Sequence, residues 1–278
     1  MANKVYDEEY IRDIANAIRA KSGTSNKYTV AQMSAAIRAL EGSISEDTTL
    51  IDSGLYGDNV NWYLYDNGVL ILNGNGDMPD GDIEGSPFEG NELVEYVIIQ
   101  DGITDIAAFA FLDCINMKNI FIPNSVTSIK MGAFGDCVSL TDLIIPNRVT
   151  NIPSMCSGCT NLTKVFIPHG VVNIGEFAFE GCNNLTSVTI PDTVTNISDY
   201  AFNYCTSLTD VFYAGTKSQW DNIAVGSSNE AITNATLHCE YNSNTGADNG
   251  WIIDVIDDGS EPENITKPTI TFVYTAGG

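Results

Sequence analysis

Between Val94 and Ala214 the chain repeats itself about every 23 residues, and this leaves few folds open to it. Cysteines recur at Cys114, Cys137, Cys159, Cys182 and Cys205, and Ile-Pro pairs at 122–123, 145–146, 167–168 and 190–191. The step is 23 residues except once, where it is 22, so one coil is a residue short. A unit of this length cannot bury its own apolar face and is completed by its neighbours, as in a solenoid. Such stacks present surface, which points to recognition in preference to chemistry.

Aligning the copies predicts one strand per coil, at Asn119–Ile122, Asp142–Ile145, Lys164–Ile167 and Ser187–Ile190, where β-branched residues cluster and Pro stops each run. Strand side chains alternate between faces, so Ile120, Leu143, Val165 and Val188 point inward together with Ile122, Ile145, Ile167 and Ile190. Val126, Val149, Val171 and Val194, then Ile129, Ile152, Ile174 and Ile197, then an Ala-Phe pair before each Cys, fill the rest of the coil. The short coil departs from this. Cys156 stands where the others carry Phe111, Phe134, Phe179 and Phe202. Losing that volume predicts an underfilled third coil, least protected in hydrogen exchange.

This pattern resembles the BspA-type leucine-rich repeat family, whose coils read roughly Ile-Pro-x-x-Val-Thr-x-Ile-Gly-x-x-Ala-Phe-x-x-Cys. GLYGDNVNWYLYDNGVLILNGNGDM is similar to the β segment that often precedes such repeats, and YAGTKSQWDNIAVGSSNEAITNATLHC to their closing cap. The resemblance implies a mainly β solenoid and a role in adhesion or binding. At the N-terminus, IRDIANAIRAKSGTSNKYTVAQM resembles a helical segment of prophage tail and baseplate proteins.

The chain then divides into five parts. Residues 1–42 form a helical hairpin for attachment or oligomerisation, 43–92 a small β segment and N-terminal cap, and 93–214 the solenoid. Residues 215–242 form the C-terminal cap, and 243–278 a linker and short β tail. In the first part Ile11, Ile14 and Ile18, then Met33 and Ile37, make apolar stripes at helical spacing, with Thr29 and Gln32 placed as a capping box. Two short helices cannot enclose a core, so the stripes meet a second copy, a tail or baseplate protein, or their own chain. In the second part Asp66-Asn67-Gly68 between apolar runs is a hairpin signal. In the last, Ile270, Phe272 and Tyr274 alternate as in a strand.

A net charge of −24, with 12 basic residues, argues against nucleic acid. No apolar run approaches the length of a bilayer span, and MANKVYDEEYIRD lacks the apolar run of an export signal. The seven cysteines are odd in number and five occupy one coil slot, so no disulfides are expected. Asp77, Asp80, Asp82 and Glu84 crowd one loop, but without the spacing of an EF-hand. Cys156 and Cys159 form a C-x-x-C that the alignment reads as core packing. His169 and His238 have no nucleophile or acid at a recognisable spacing. No catalytic residue, metal or cofactor is therefore assigned.

The outward strand positions make the candidate contact face. Ile98, Phe121, Ile144, Phe166, Thr189 and Phe212 form one row, and Tyr96, Asn119, Asp142, Lys164, Ser187 and Asp210 another. At about 4.8 Å between strands each row would run roughly 24 Å. It would be an exposed row able to dock a host cell-surface protein or glycan, unless neighbours cover it. The absence of an export run and the N-terminal likeness favour a phage or prophage tail protein, found in the virion or made in the host cytoplasm. A bacterial cell-surface adhesin or secreted interaction protein is the alternative. A carbohydrate-cleaving tail protein is the remaining reading, since that chemistry needs only two carboxylates.

Overall fold

The computed structural model describes residues 48–80 and 85–240. The helical hairpin expected at the N-terminus and the strand expected in the C-terminal tail lie outside these residues. Residues 49–242 form one compact unit, and its architecture is a β-solenoid.

Three antiparallel strands lead in: β1 (Leu50–Tyr56), β2 (Val60–Tyr65) and β3 (Val69–Gly74). The turn between β2 and β3 uses Asp66-Asn67-Gly68, with Gly68 at φ 78°, a conformation glycine adopts without penalty. β3 then pairs in parallel with β5 (Tyr96–Ile99), the first repeat strand, so the hairpin continues the solenoid sheet.

Each coil adds one strand to this column: β7 (Asn119–Phe121), β9 (Asp142–Ile144), β11 (Lys164–Phe166), β13 (Ser187–Ile190), β15 (Asp210–Tyr213) and β17 (Thr236–His238). A second column of short strands follows each turn: β4 (Gly76–Asp77), β6 (Ile103–Ile106), β8 (Ser128–Ile129), β10 (Asn151–Ile152), β12 (Asn173–Ile174), β14 (Asn196–Ile197) and β16 (Ala224–Val225). Both columns break at the same level. β7 is not paired to β9, nor β8 to β10, so the described strands form two sheets in each column. On the strand side the seam carries a long bond from Thr141 N–H to Lys118 O, 3.4 Å. On the opposite side it is closed by Phe134 N–H to Met155 O, 2.8 Å, and Asp136 N–H to Ser157 O, 2.8 Å.

The predicted inward residues are all buried. Phe111, Phe134, Phe179 and Phe202 are fully buried, and neighbouring rings stack at 6.1 Å for Phe111 on Phe134 and 5.4 Å for Phe179 on Phe202. The column begins one coil earlier than the repeat suggests, at Phe88, stacked 5.4 Å from Phe111. Asn91 occupies the cysteine slot of that coil, which hides it from the spacing.

The short coil is filled differently from the expectation. Its backbone register, Phe134 N–H to Met155 O and Cys156 N–H to Ala178 O, puts Met155 in the Ala slot and Cys156 in the Phe slot. Both are fully buried. A large, flexible thioether thus replaces a methyl beside the missing ring, restoring volume from the neighbouring position.

Two polar side chains complete the backbone pairing near the ends of the stack. Ser86 Oγ donates to Ala110 O, 2.6 Å, and accepts from Phe88 N–H, 3.2 Å. At the other end buried Asn229 accepts from Phe202 N–H, 2.9 Å, and donates to Ser198 O, 2.8 Å, and Gly226 O, 3.0 Å. Asn229 stands in for the backbone of the coil that would follow, whereas Ser86 is inserted between Phe88 N–H and Ala110 O, which in later coils bond directly; either way the buried peptide groups are paired. α1 (Lys217–Trp220), opened by the capping box Thr216 and Gln219, and α2 (Glu230–Asn234), which buries Ile232, close that end. Among the described residues no helix is long and apolar enough to cross a membrane.

The described part of the acidic loop is held by a lysine. Lys130 Nζ lies 2.6 Å from both oxygens of Asp80 and 3.3 Å from Asp105 Oδ1, the latter close enough to pair but not aligned as a hydrogen bond. Thr104 Oγ1 donates to Asp77 Oδ1, 2.6 Å. Asp82 and Glu84 lie outside the described residues.

Candidate functional site

Parallel pairing without offset carries the outward residues into rows. Tyr96 sits beside Asn119 and Ile98 beside Phe121 in one sheet. In the other, Asp142, Lys164, Ser187 and Asp210 form one row, and Ile144, Phe166, Thr189 and Phe212 the next. The seam between β7 and β9 divides both rows, a break that identical coils would not have. Exposure is also uneven. Tyr96 is 36% exposed, most members are half-buried, and Phe166 is only 9% exposed. Phe166 thus departs from the expected exposed row, because a ring hemmed in by residues one strand away on either side shows little but its edge.

The two ends of this face carry charge. Lys118 pairs with Glu95 at 2.5 Å, and its ammonium lies 5.7 Å from the centre of the Tyr96 ring. At the far end the His238 ring stacks on Phe212 at 4.6 Å, and its Nε2 is 2.7 Å from Asp210 Oδ1. The bond to His238, with one from Thr209, holds the Asp210 carboxyl below its usual range. His238 therefore has the acidic partner that the sequence did not reveal. The two are 28 residues apart, and only the register of β15 against β17 joins them. His169 likewise faces Asp192 at 3.6 Å.

The cysteines are core. Cys114, Cys137, Cys156, Cys159, Cys182 and Cys205 are free and buried. Burial pushes the thiols of Cys114 and Cys205 up to about 12 and that of Cys156 well above its usual value, so all three are protonated at neutral pH. A C-x-x-C buried in this way, with Cys156 held as the thiol, neither attacks a disulfide nor binds metal readily. The attachment residues Ile11, Ile14, Ile18, Met33 and Ile37 lie outside the described residues.

A second feature was not anticipated from the sequence. The residue before each coil cysteine has positive φ: Asp113, Asp136, Gly158, Gly181 and Tyr204, between 53° and 78°. With two glycines in the middle, this column sinks into a groove of about 400 Å³. Asp136 and Tyr204 close its ends, and Val138, Thr160, Asn183 and Thr206, each following a cysteine, line its side. Burial, then the charge of Asp113, raises the Asp136 carboxyl above its usual range. The signal was present in the alignment as a slot that changes from Asp to Gly to Tyr, but an unconserved slot in a repeat reads as an ordinary turn.

Residues 81–209 match the family model of the BspA type leucine rich repeat region, in six copies. This supports placing the repeat region in that family. A comparison with curated proteins gives no match. Among solved structures the chain is similar to a leucine rich cell surface protein of Faecalibacterium prausnitzii, at 33% identity over 65% of this chain and 43% of that one, TM-score 0.48. It is also similar to a leucine-rich repeat protein of Eubacterium ventriosum, at 25% identity over 58% of this chain and 44% of that one, TM-score 0.51. A leucine rich repeat protein of T. pallidum is 23% identical over 63% of this chain and 82% of that one, TM-score 0.46. The chain spans less than half the length of the first two.

Proposed function

We propose that this chain, on the premise of its BspA-type repeat region, is a binding protein that meets a macromolecular partner at a bacterial cell surface. The observation that carries the reading is the strand face: outward residues held in fixed rows by strand pairing, with Tyr96 exposed at one end and the Phe212–His238 stack at the other. A preordered aromatic face loses little side-chain entropy on docking. The expectation of a phage tail role rests on residues 1–42 and gains no support from the described part, so the cell-surface alternative takes its place. Binding, not catalysis, is the role assigned.

Two experiments test this. An antibody against residues 85–240 should label intact bacteria that produce the chain; recovery of the chain solely with phage particles would overturn surface display. In a cell-binding assay, replacing Tyr96, Phe121 and Phe212 with Ser should reduce binding of the full chain about tenfold or more, the scale of a lost aromatic anchor. Phe166 is left intact there because its burial makes it part of the fold. Unchanged binding by a folded variant would remove the strand face from consideration.

A further inference from the structure

We infer that the groove over Gly158 and Gly181 is a binding site for an uncharged linear oligosaccharide. It lies on the cysteine-flanking column and not on the strand face, so it stands or falls separately from the reading above.

The groove exists because side chains stop. A Cβ added to Gly181 would come no closer than 3.7 Å to any atom, the backbone of Gly158. The left-handed backbone, φ 70°, favours glycine at that position, and the consequence for the surface is open space above it. At Gly158 the reason differs: the Asp136 carboxylate lies across it, with Oδ1 2.0 Å from where a Cβ would be. Asp136 reaches over the groove floor, and its carboxylate accepts no hydrogen bond from the described residues.

Tyr204 makes the end wall. Its side chain is 66% exposed on a backbone at φ 59°, a region that bulky residues rarely occupy. Folding alone gains little from an exposed ring on a strained residue, whereas a ligand gains a flat apolar surface. The C–H face of a pyranose suits such a ring, because the ring face is electron-rich. Asn183 steadies this wall. With its amide oriented by its surroundings, Nδ2 donates to the carbonyl of Tyr204, 2.7 Å, and of Gly181, 3.3 Å.

The side wall repeats at the coil spacing. Thr160, Asn183 and Thr206 hold equivalent positions in successive coils, about 4.8 Å apart. The Thr160 hydroxyl, the Asn183 Oδ1 left over when its Nδ2 is engaged, and the Thr206 oxygen, whose proton goes to Asn183 O at 3.5 Å, would meet the hydroxyls of successive sugar residues in an extended glycan, one coil per sugar. Charge narrows the class further. Asp136 with Asp113 nearby, in a chain of net charge −24, disfavours an anionic polymer. Asp136 can still accept from sugar hydroxyls, which a raised and partly desolvated carboxyl does without an ionic partner.

The test uses the full chain titrated calorimetrically with cellohexaose, maltohexaose and laminarihexaose, with oligogalacturonate and tetralysine as charged controls. At least one neutral hexasaccharide should bind. Tyr204→Asn and Gly181→Asn should each weaken it about tenfold or more while leaving the unfolding temperature equal or higher for Tyr204→Asn, since Asn tolerates the left-handed backbone better than Tyr. Binding of none of the three, binding unaffected by both folded variants, or binding of a charged control alone would overturn the assignment.

Discussion

The thiol of Cys137 donates to the carbonyl oxygen of Phe111, 3.1 Å away, one coil back. The same bond recurs from Cys114 to Phe88, 3.0 Å, Cys159 to Phe134, 3.0 Å, Cys182 to Cys156, 3.4 Å, and Cys205 to Phe179, 3.1 Å. Each cysteine therefore packs as a small apolar group and also satisfies a buried carbonyl facing the next coil. The same carbonyl already accepts a backbone N–H within its own coil, as Phe111 O does from Cys114 N–H at 3.3 Å, so the thiol adds a second bond that crosses between coils, which explains cysteine better than volume alone does.

Thiol chemistry should separate these cysteines from the seventh. A maleimide or disulfide probe added to the native protein at neutral pH should modify Cys239, which is partly exposed, and spare the six buried ones; after denaturation all seven should react. Rapid labelling of Cys156 or Cys159 in the folded protein would contradict the burial described. Cys137→Ala should lower the unfolding free energy by about 1–3 kcal/mol through the lost donor and the lost volume.

Met155 and Cys156 should behave as one unit. Met155→Ala alone leaves a cavity and should cost about 2–5 kcal/mol, and Cys156→Phe alone overpacks against Met155 and should cost about 1–3 kcal/mol. The double variant restores the Ala-Phe pair of the other coils and should be more stable than the sum of the singles predicts by about 1 kcal/mol or more. Additive losses in urea melts would show that the two side chains do not share one space.

Hydrogen exchange should mark the seam. The strands Asn119–Phe121 and Asp142–Ile144, which flank it without pairing to each other, should exchange faster than Ser187–Ile190, which is bonded on both sides. Equal protection of the three segments would mean that the bonds on the opposite side, Phe134 to Met155 and Asp136 to Ser157, suffice to hold the coils together.

Asp105 should make a pH-dependent contribution. Burial raises its carboxyl in the folded state, offset in part by Ser128 and Lys130. A raised acid is neutral in both states below its unfolded value of about 3.9, so it exacts no penalty there. As pH climbs past that value the charged form is favoured in the unfolded chain, and stability falls until the folded value is passed. Asp105→Asn should therefore raise the unfolding temperature at neutral pH more than at pH near 3, with Asp80 retaining Lys130. A loss at neutral pH would show that the Lys130 pair outweighs the burial.

The interior of each coil was readable in advance. Ile120, Val126, Ile129, Phe134 and Cys137 recur at a fixed period, and a periodic chain brings equivalent residues together whatever the details of the turns. The hairpin at Asp66-Asn67-Gly68 was equally plain, because its turn is decided by residues next to one another. The strand rows followed from alternation, but not their exposure, which depends on the bulk of residues one strand away, as at Phe166.

What the sequence determined alone is the identity of the stacked positions, since these need only local preference and a constant step. Tertiary structure decided everything that lies where the step changes. The start of the ring column at Phe88 is masked by Asn91, its first intercoil bond runs through Ser86, the short coil is repaired by Met155, and the stack is ended by Asn229. The Asp210–His238 pair and the groove between Asp136 and Tyr204 belong with these. Each depends on distances between coils at positions the repeat does not dictate, and such distances exist only once the coils have packed.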